Sequence, residues 1–358
     1  MRKIVWLFLI AVLAAAGWFG WALLTPVEPP GKTFVMLRPG YSTRRIASEL
    51  KSAGVIRSEE AFILWRYIRH RRSLKAGEYL FENAANTVEI QKRLRRGDVY
   101  FHTVVVPEGF TMFDIARAIE AAGLGSADEF VRVAQSDTDL ISDIAPGARS
   151  LEGYLFPDTY QFSRMMTMQE MAAAMVKQFR QVAHQIGLLQ APMEGVPSGP
   201  RTQGDPVEAD LQQTVIMASI VEKETAVAEE RPLVASVYYN RLSKRIALDA
   251  DPSVIYAELL AGTYGGALHH ADMQVNSRYN TYKYPGLPPG PIGNPGKSAL
   301  ESAMHPAQSD YYYFVADAQG HHRFARTIEE HNKNVAAYRR AMRGQSGSPR
   351  TSDLGPQR

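Results

Sequence analysis

An uncharged apolar run at the amino terminus sets the first constraint on the fold. It extends over Ile4–Leu24, and as a helix rising about 1.5 Å per residue it covers the roughly 30 Å hydrocarbon core of a bilayer. Arg2 and Lys3 precede it, which favours an amino end in the cytoplasm. Trp18 and Trp21 suit the membrane–water interface. The run exceeds the core of a usual signal peptide, so the sequence predicts a membrane anchor, with a cleavable signal as the alternative.

The remainder of the chain has the composition of an ordinary globular protein. Hydrophobic residues make up 45% and charged residues 22% of the 358 residues, a length that supports about two to three domains. The formal net charge of +3 gives no chain-wide electrostatic argument for binding nucleic acid. The absence of cysteine excludes disulfides, thiolate metal sites and a cysteine nucleophile.

Basic residues are concentrated in two short segments. A solvated helix face is the interpretation that such clusters favour, and contact with an anionic surface is the alternative. The first cluster comprises Arg66, Arg69, Arg71, Arg72 and Lys75, and the second comprises Lys92, Arg93, Arg95 and Arg96.

An internal repeat follows a proline-containing spacer. Segment 34–42 returns as segment 104–111, and each copy predicts a strand, a glycine turn and two capped amphipathic helices. Phe62 and Phe130 are predicted to face the core of their copies. In the first copy Gly77–Phe81 supplies a closing strand. Two copies are too few for a solenoid, so the pattern predicts small duplicated β-α-α-β modules.

The region from Leu151 onward predicts several helices and one hairpin. The residues between 191 and 206 are rich in Pro, Gly and Ser and predict an exposed loop. Thr327 and Glu330 have the spacing of a capping box for the last helix. The predicted elements are helices Thr167–Gln185, Val207–Thr225, Arg231–Leu242 and Thr327 to about Met342, and a hairpin of Tyr311–Ala316 with His322–Ala325.

The segment Val215–Thr225 carries the most informative chemistry. Apolar or small residues from Val215 to Val221 surround a whole helix, which indicates a buried helix. Glu222 and Glu224 follow at its end. A carboxyl group there loses hydration, which raises its pKa and keeps it protonated near neutral pH. A protonated carboxyl can act as general acid on a glycosidic oxygen, although solvated helix-terminal glutamates are the commoner case.

Helical spacing does not choose between these two glutamates. Residues two apart on a helix point about 200° apart, so one should face a groove while the other pairs or faces solvent. They are therefore not a pair of carboxylates acting on one bond.

Polar and aromatic residues accumulate downstream, beside a segment rich in Pro and Gly at Gly286–Ile292. Such a segment forms a rigid loop, and Tyr279–Tyr284 adds aromatic faces and an amide suited to sugar rings and hydroxyl groups. A turn-rich structural loop is the alternative. His269–His270 and His321–His322 lack the spacing of a metal site, so no metal or other cofactor is predicted.

Several separated blocks, in this order, make the chain resemble the YceG-like family of endolytic murein transglycosylases. The resemblance runs from the amino terminus to about Met342. The blocks are Glu152–Tyr160, Ala218–Thr225, Asn240–Leu242, Asp251–Tyr256, Tyr279–Tyr282, Gly286–Ile292, Ala303–Pro306, Tyr313–Asp317 and His331–Asn332.

The resemblance implies an enzyme that cuts the β-1,4 bond between N-acetylmuramic acid and N-acetylglucosamine inside peptidoglycan strands, without water, leaving 1,6-anhydro ends. It implies a single-pass protein of the inner membrane, held by residues 4–24, with its catalytic domain in the periplasm. Peptidoglycan synthases or division proteins are candidate partners. A non-catalytic wall-binding or divisome scaffold and a muramidase-type hydrolase are the alternatives.

The implied fold is α+β, with LysM-like modules and a lysozyme-like catalytic domain of helices and a short sheet. A spacer domain without sugar contact is the alternative for the modules. Lysozyme-like transglycosylases carry the catalytic glutamate before Ser or Thr, which favours Glu224, followed by Thr225, over the runner-up Glu222. Expected substrate-binding residues are Tyr154, Asp158, Ser219, Asn240, Asp251, Tyr279, Asn280, Thr281, Tyr282, Pro289 and Gly290. The expected divisions are an anchor at 1–24, a linker at 25–32, LysM-like modules at 33–148, a catalytic domain at 149–343 and a disordered tail at 344–358.

Overall fold

The computed structural model describes residues 2–69, 73–189 and 207–346, and the loop and most of the tail expected from the sequence lie outside these ranges. The chain divides into two compact units of mixed helix and strand. Unit 1 comprises the described residues up to Val104 with Ala122–Leu124 and Tyr160–Thr167, and unit 2 comprises Val105–Ala121, Gly125–Thr159 and the described residues from Met168 onward.

The first helix, α1 (Arg2–Leu24), coincides with the apolar run. It is long and apolar enough to cross a membrane. Most of its side chains are exposed, whereas Ala22 and Leu23 in its last turn are buried. The predicted apolar helix is therefore present, and its end is packed against the rest of unit 1.

Unit 1 contains the strand–helix–helix–strand order predicted for the first copy. Strands β1 (Thr33–Leu37) and β2 (Gly77–Phe81) pair antiparallel. Helices α2 (Thr43–Ser52) and α3 (Glu59–Ile68) lie between them in the chain. Ser42 and Ser58 cap these helices by accepting a backbone N–H. The core beneath them includes Leu37, Leu50, Ile56, Phe62, Tyr79 and Phe81.

A further helix of unit 1, α4 (Thr87–Arg96), was not predicted. Asn86 and Glu89 form a capping box at its start, and Gly97 ends it in the left-handed conformation. The sequence therefore contains the capping residues at both ends of the helix. The helix was missed because Ile90 and Leu94, its two buried apolar residues, stand among several basic residues.

Strand β3 (His102–Val105) begins the second copy and pairs with β4 (Thr159–Phe162). The buried carboxylate of Glu78 has one oxygen 2.7 Å from Nε2 of His102, and its other oxygen forms a salt bridge of 3.0 Å with Nη1 of Arg164. The helices of the second copy, α5 (Met112–Ala121) and α6 (Ala127–Ser136), belong to unit 2.

Unit 2 is largely helical. Its core includes Phe130, which the sequence analysis placed there, and Phe179. The further elements of unit 2 are α7 (Met168–Gln185), α8 (Val207–Glu224), α9 (Arg231–Ser243), α10 (Asp251–Ala261), α11 (Lys297–Met304), β5 (Tyr313–Ala316), β6 (His322–Ala325) and α12 (Ile328–Ser346). Helix α8 packs against α9, α10 and α11, and seven consecutive residues from Val215 to Val221 are buried, as predicted.

The predicted helices and hairpin of unit 2 are present with boundary shifts of a few residues. Helices α10 and α11 were not predicted, because each is short and polar residues interrupt its apolar helical periodicity. The hairpin pairs Tyr313 with Ala325 and Ala316 with His322.

Replacing Phe130 by Ala should lower the free energy of unfolding by about 3–5 kcal/mol, because it leaves a cavity in the core of unit 2. Arg132→Ala, on the exposed side of the same helix, is the matched control and should change stability by about 0.5 kcal/mol or less. Urea unfolding of the full chain in nonionic micelles, followed by circular dichroism, measures both. Equal losses would contradict the core assignment.

Candidate functional site

The two glutamates at the end of α8 have different surroundings. Glu222 accepts a bond of 2.7 Å from Arg231 and another of 2.9 Å from the backbone N–H of Gly296, which precedes α11. Burial raises the pKa of Glu222, while Gly296 and Arg231 oppose that rise. Glu222 thus links three segments of unit 2 and has both oxygens occupied by the chain.

Glu224 lies on another side of the helix, as the spacing required. Burial raises the pKa of Glu224 to about 7. A hydrogen bond from Tyr238 and the positive charge of Arg241 favour the carboxylate, whereas the negative charge of Asp251 disfavours it. The residue as a whole is partly exposed, although its carboxyl group is buried. Near neutral pH this group can therefore both give and accept a proton.

Tyr238 is the direct partner of Glu224. Its side chain is buried on α9, and its ring meets Phe314 edge to face at 5.8 Å. Burial, and the negative charge of Glu224 after it, raise the pKa of Tyr238 well above its usual range. The phenol therefore stays neutral and donates to one side of the carboxyl group, which fixes its orientation.

Arg241, one turn along α9 from Tyr238, supplies a fixed positive charge. Its Nε donates to the carbonyl oxygen of Tyr312 at 2.7 Å, and its Nη1 lies 3.1 Å from Asp249. The guanidinium lies over the ring of Tyr313 at 5.2 Å. These contacts hold the cation where it stabilises the ionised form of Glu224.

Of the residues expected to bind substrate, Asp251 and Tyr282 lie in the electrostatic environment of Glu224. The hydroxyl group of Tyr282 donates to Asp251 at 2.5 Å, and both side chains are exposed. Burial and this hydrogen bond raise the pKa of Tyr282. An accessible carboxylate beside Glu224 can stabilise positive charge developing on a sugar ring.

Four other expected residues use their polar atoms within the protein. Ser219 is buried and accepts from the N–H of Ile292 at 3.0 Å, which ties α8 to the proline-rich loop. The Asn240 amide donates to backbone oxygens of Ser309 and Tyr311. Asn280 is buried and donates to Met273 and Val275, and buried Thr281 bonds Ala250 and Ser253. These contacts shape the loops around the site.

Tyr279, one of the residues expected to bind substrate, has its ring 5.1 Å from that of Tyr256. A Cβ atom at Gly290 would lie 2.8 Å from the Tyr279 hydroxyl, so glycine permits this close approach. Pro289 beside it is partly exposed. Burial raises the pKa of Tyr279 to about 12.

The last two expected residues, Tyr154 and Asp158, contact other parts of unit 2. Tyr154 is fully buried edge-on against Phe179 at 5.1 Å, and its hydroxyl has no hydrogen-bond partner within the described ranges. Asp158 is exposed and accepts from Thr159 and from the Gln178 amide.

A buried glutamate that the sequence analysis did not single out joins the segment after residue 150 to the loop. Glu152 accepts from the N–H of Met112 at 3.0 Å and from the Asn294 amide at 2.7 Å. Asn294 in turn accepts from the N–H groups of Gly153 and Leu155. Burial raises the pKa of Glu152 to about 8.

Sequence reasoning missed Tyr238, Arg241 and this Glu152–Asn294 pair as parts of the site. Arg241 lies in the block Asn240–Leu242 that resembles the family, and Tyr238 precedes it by about one helical turn. Residues at this spacing share a helix face, so the sequence could have placed Tyr238 beside Arg241. Among the described residues, no group of three or more His, Cys, Asp and Glu side chains is placed to hold a metal ion.

The family profile described as the YceG-like family matches residues 35–337. The chain belongs to the YceG-like family. A protein of Bacillus subtilis named endolytic murein transglycosylase is 33% identical over 91% of each chain. A protein of the same name from Streptococcus pneumoniae R6 is 30% identical over 93% of this chain, which spans 64% of that relative's length.

A solved structure gives the same result for this YceG-like chain. The crystal structure of a yceG-like protein from Listeria monocytogenes is 31% identical to it, with a TM-score of 0.55. The match covers 84% of this chain and 98% of the Listeria chain. The sequence-based assignment to the family is therefore confirmed.

Gly153→Ala should destabilise unit 2 more than Gly286→Ala. Both glycines have positive φ, +88° and +102°, so each substitution costs about 1–2 kcal/mol in backbone strain. A Cβ at Gly153 would also lie 2.4 Å from Pro291, whereas nothing lies within 4 Å of one at Gly286. Overpacking adds about 1–3 kcal/mol. Thermal unfolding of both variants measures the difference, and equal midpoints would contradict the close packing of these segments.

Proposed function

We propose that this chain is an endolytic murein transglycosylase in which Glu224 is the proton donor. The function follows from membership of the YceG-like family and from relatives that are named for this activity. The observation that supports Glu224 is its pKa of about 7, raised by burial on an otherwise apolar helix end. A neutral carboxyl group is the form that protonates a glycosidic oxygen.

The proposed reaction needs one carboxyl group acting twice. Glu224 first gives its proton to the oxygen leaving C1 of N-acetylmuramic acid, and the C1–O bond to the next sugar breaks. The 6-hydroxyl oxygen of the same muramic acid then bonds to C1, and its proton passes to the carboxylate. The anhydro ring closes, the acid is regenerated and no water is consumed. Tyr238 holds the carboxyl group in position throughout.

The partners of Glu222 argue against it as the proton donor. Arg231 favours its ionised form, and its second oxygen accepts from Gly296. We therefore assign Glu222 the role of fixing the start of α11 and the segment before it.

A muramidase-type hydrolase is the second candidate function, and the position of Asp251 favours it. Glycoside hydrolases generally use two carboxyl groups, and Asp251 provides a second negative charge beside Glu224. In a transglycosylase the same carboxylate stabilises positive charge on the muramic acid ring. The two reactions differ in whether water enters the product.

The finer organisation is also part of the proposal. We infer LysM-like modules within 33–148, a lysozyme-like catalytic domain within 149–343 and a single membrane span at α1, with the catalytic domain in the periplasm. The length and apolar surface of α1 and the basic residues before it support the span and its orientation. Synthases or division proteins in the same membrane are the partners that such an anchor would meet.

Glu224→Gln should lower the rate of strand cleavage by about 100- to 10,000-fold, because the amide cannot donate the proton. Glu222→Gln is the matched control and should retain measurable activity, with reduced stability since Arg231 loses an ionised partner. Release of soluble fragments from purified sacculi measures the rate, and circular dichroism checks the fold. If Glu222→Gln loses more activity than Glu224→Gln, Glu222 is the proton donor instead. If the wild-type chain releases no fragments, the result favours a non-catalytic scaffold.

The mass of the products separates the two enzymatic candidates. Anhydro ends are about 18–20 Da lighter than the reducing ends of a hydrolase, because no water is added. We expect anhydro ends at internal cleavage positions. Reducing ends from the wild-type chain would establish the hydrolase instead.

Activity should fall as pH rises through about 7, because the acid form of Glu224 is present below its pKa and lost above it. Asp251→Asn removes a negative charge that raises this pKa, so the alkaline limb should move to lower pH. Tyr238→Phe removes a hydrogen bond that lowers the pKa, so the limb should move to higher pH. Initial rates across pH test both directions, and shifts of the same sign would contradict the assigned electrostatics.

A further inference from the structure

The last turn of α1 is fixed to the rest of unit 1 by apolar and cation–π contacts. Ala22 and Leu23 are buried against Ala61 of α3, and Phe19, Trp65 and Val88 pack around them. The guanidinium of Arg57 lies 4.9 Å from the ring of Trp21 and donates to the Pro26 carbonyl oxygen at 3.0 Å. The end of α1 and helices α3 and α4 therefore form one packed assembly.

This packing sets the height of α3 and α4 when α1 spans a bilayer. Trp18 and Trp21 are about half exposed near the carboxyl end of α1, where aromatic side chains mark the membrane–water interface. Because α3 and α4 contact the residues between Phe19 and Leu23, they lie at the level of the lipid headgroups.

One side of α3 presents apolar groups to that level. Ala61, Leu64, Trp65 and Ile68 follow the spacing of a single helix face. Ala61 and Trp65 meet α1, whereas Leu64 and Ile68 are 50% and 51% exposed. Tyr67 beside them is also exposed. The exposed apolar groups continue the row that packs on the anchor.

A cleft of about 140 Å³ opens beside this row. Three arginines line it, Arg66, Arg69 and Arg95, and the described lining residues include no carboxylate. Trp65 and Val88 belong both to the cleft and to the contact with α1. The cleft therefore starts where the anchor ends.

Arg95 in this cleft differs from its basic neighbours on α4 in how it is bonded. The Nε of Arg95 is shielded from solvent and has no hydrogen-bond partner among the residues that the structure describes. Arg69 lies over the Trp65 ring at 4.9 Å. In contrast, Arg93 donates to Leu80 and Arg96 pairs with Asp98. A buried unpaired donor in a basic cleft is costly unless an acceptor from outside binds it.

We propose that the arginine cleft binds the phosphate headgroup of an anionic phospholipid in the membrane that α1 spans, an inference that rests on the proposed membrane span. Guanidinium groups pair with phosphate oxygens through two parallel hydrogen bonds, and acyl chains can cover the exposed Leu64 and Ile68. The contact holds unit 1 against the membrane surface. For Arg66, Arg69 and Arg95, the proposal favours contact with an anionic surface over the solvated helix face that the sequence left as the other interpretation.

The full chain in nanodiscs tests this proposal. Since the chain has no cysteine, Leu64→Cys accepts a single polarity-sensitive fluorophore on the exposed row. Discs of phosphatidylcholine alone are compared with discs containing up to about 30% phosphatidylglycerol. The emission should increase with phosphatidylglycerol, and Arg95→Gln should require roughly fivefold more of this lipid for the same increase. Arg69→Gln, at an exposed side chain, should act in the same direction without risk to the fold.

The matched control is Lys92→Gln, which removes the same charge from an exposed position of α4 that does not line the cleft. It should change the lipid response less than Arg95→Gln does, and Arg95→Lys should retain part of the response that Arg95→Gln loses. Equal emission in neutral and anionic discs would overturn the proposal, as would an equal effect of Lys92→Gln. An increase caused by inorganic phosphate in neutral discs would assign the cleft to free phosphate instead.

Two further measurements keep this test independent of the earlier proposals. Co-elution of the chain with the discs in gel filtration reports the membrane span alone. Fragment release from sacculi by the Arg95→Gln variant reports the catalytic proposal alone, and we expect wild-type rates there because Arg95 belongs to unit 1.

Discussion

The proposed chemistry depends on the loss of water around the carboxyl group that ends α8. An ordinary glutamate is ionised at neutral pH, and only desolvation or a neighbouring negative charge makes protonation favourable. Seven buried residues precede Glu224, and Asp251 adds the negative charge, while Tyr238 and Arg241 limit the rise. The balance leaves the pKa of Glu224 at about 7. Such a group changes protonation state at little cost in either direction, which a two-step proton transfer requires.

Burial raises the pKa of three glutamates of unit 2, Glu152, Glu222 and Glu224, and the partners of each indicate different roles. Glu152 accepts only from groups of the protein and joins α5 to the loop through Asn294. Glu222 pairs with Arg231. Glu224 has a pKa of about 7 and accepts a hydrogen bond from the neutral phenol of Tyr238, with Arg241 and the exposed carboxylate Asp251 in its electrostatic environment. A shifted pKa by itself therefore does not identify the reacting group, because structural glutamates show it too.

Unit 1 illustrates how one sequence pattern can serve two purposes. Arg93 and Arg96 bond within the protein, whereas Arg95 on the same helix lines the cleft beside α1, and its Nε has no hydrogen-bond partner among the described residues. Helical periodicity does not separate these groups, because both occur on α4 at neighbouring positions. The packing of α3 and α4 on the end of α1 decides which of them lie beside the apolar helix.

The sequence by itself determined the apolar helix, the capped helices of the first copy, the buried course of α8 and membership of the family, because these depend on local periodicity and short blocks. It also required that Glu222 and Glu224 point to different sides of the helix. Only the tertiary structure decided their partners, since Arg231, Tyr238 and Gly296 come from other segments. Likewise Ser219, Asn240, Asn280 and Thr281, expected at the substrate, make their hydrogen bonds within the protein. A residue type states which bonds a side chain can make, and the packing of distant segments determines which of them it makes.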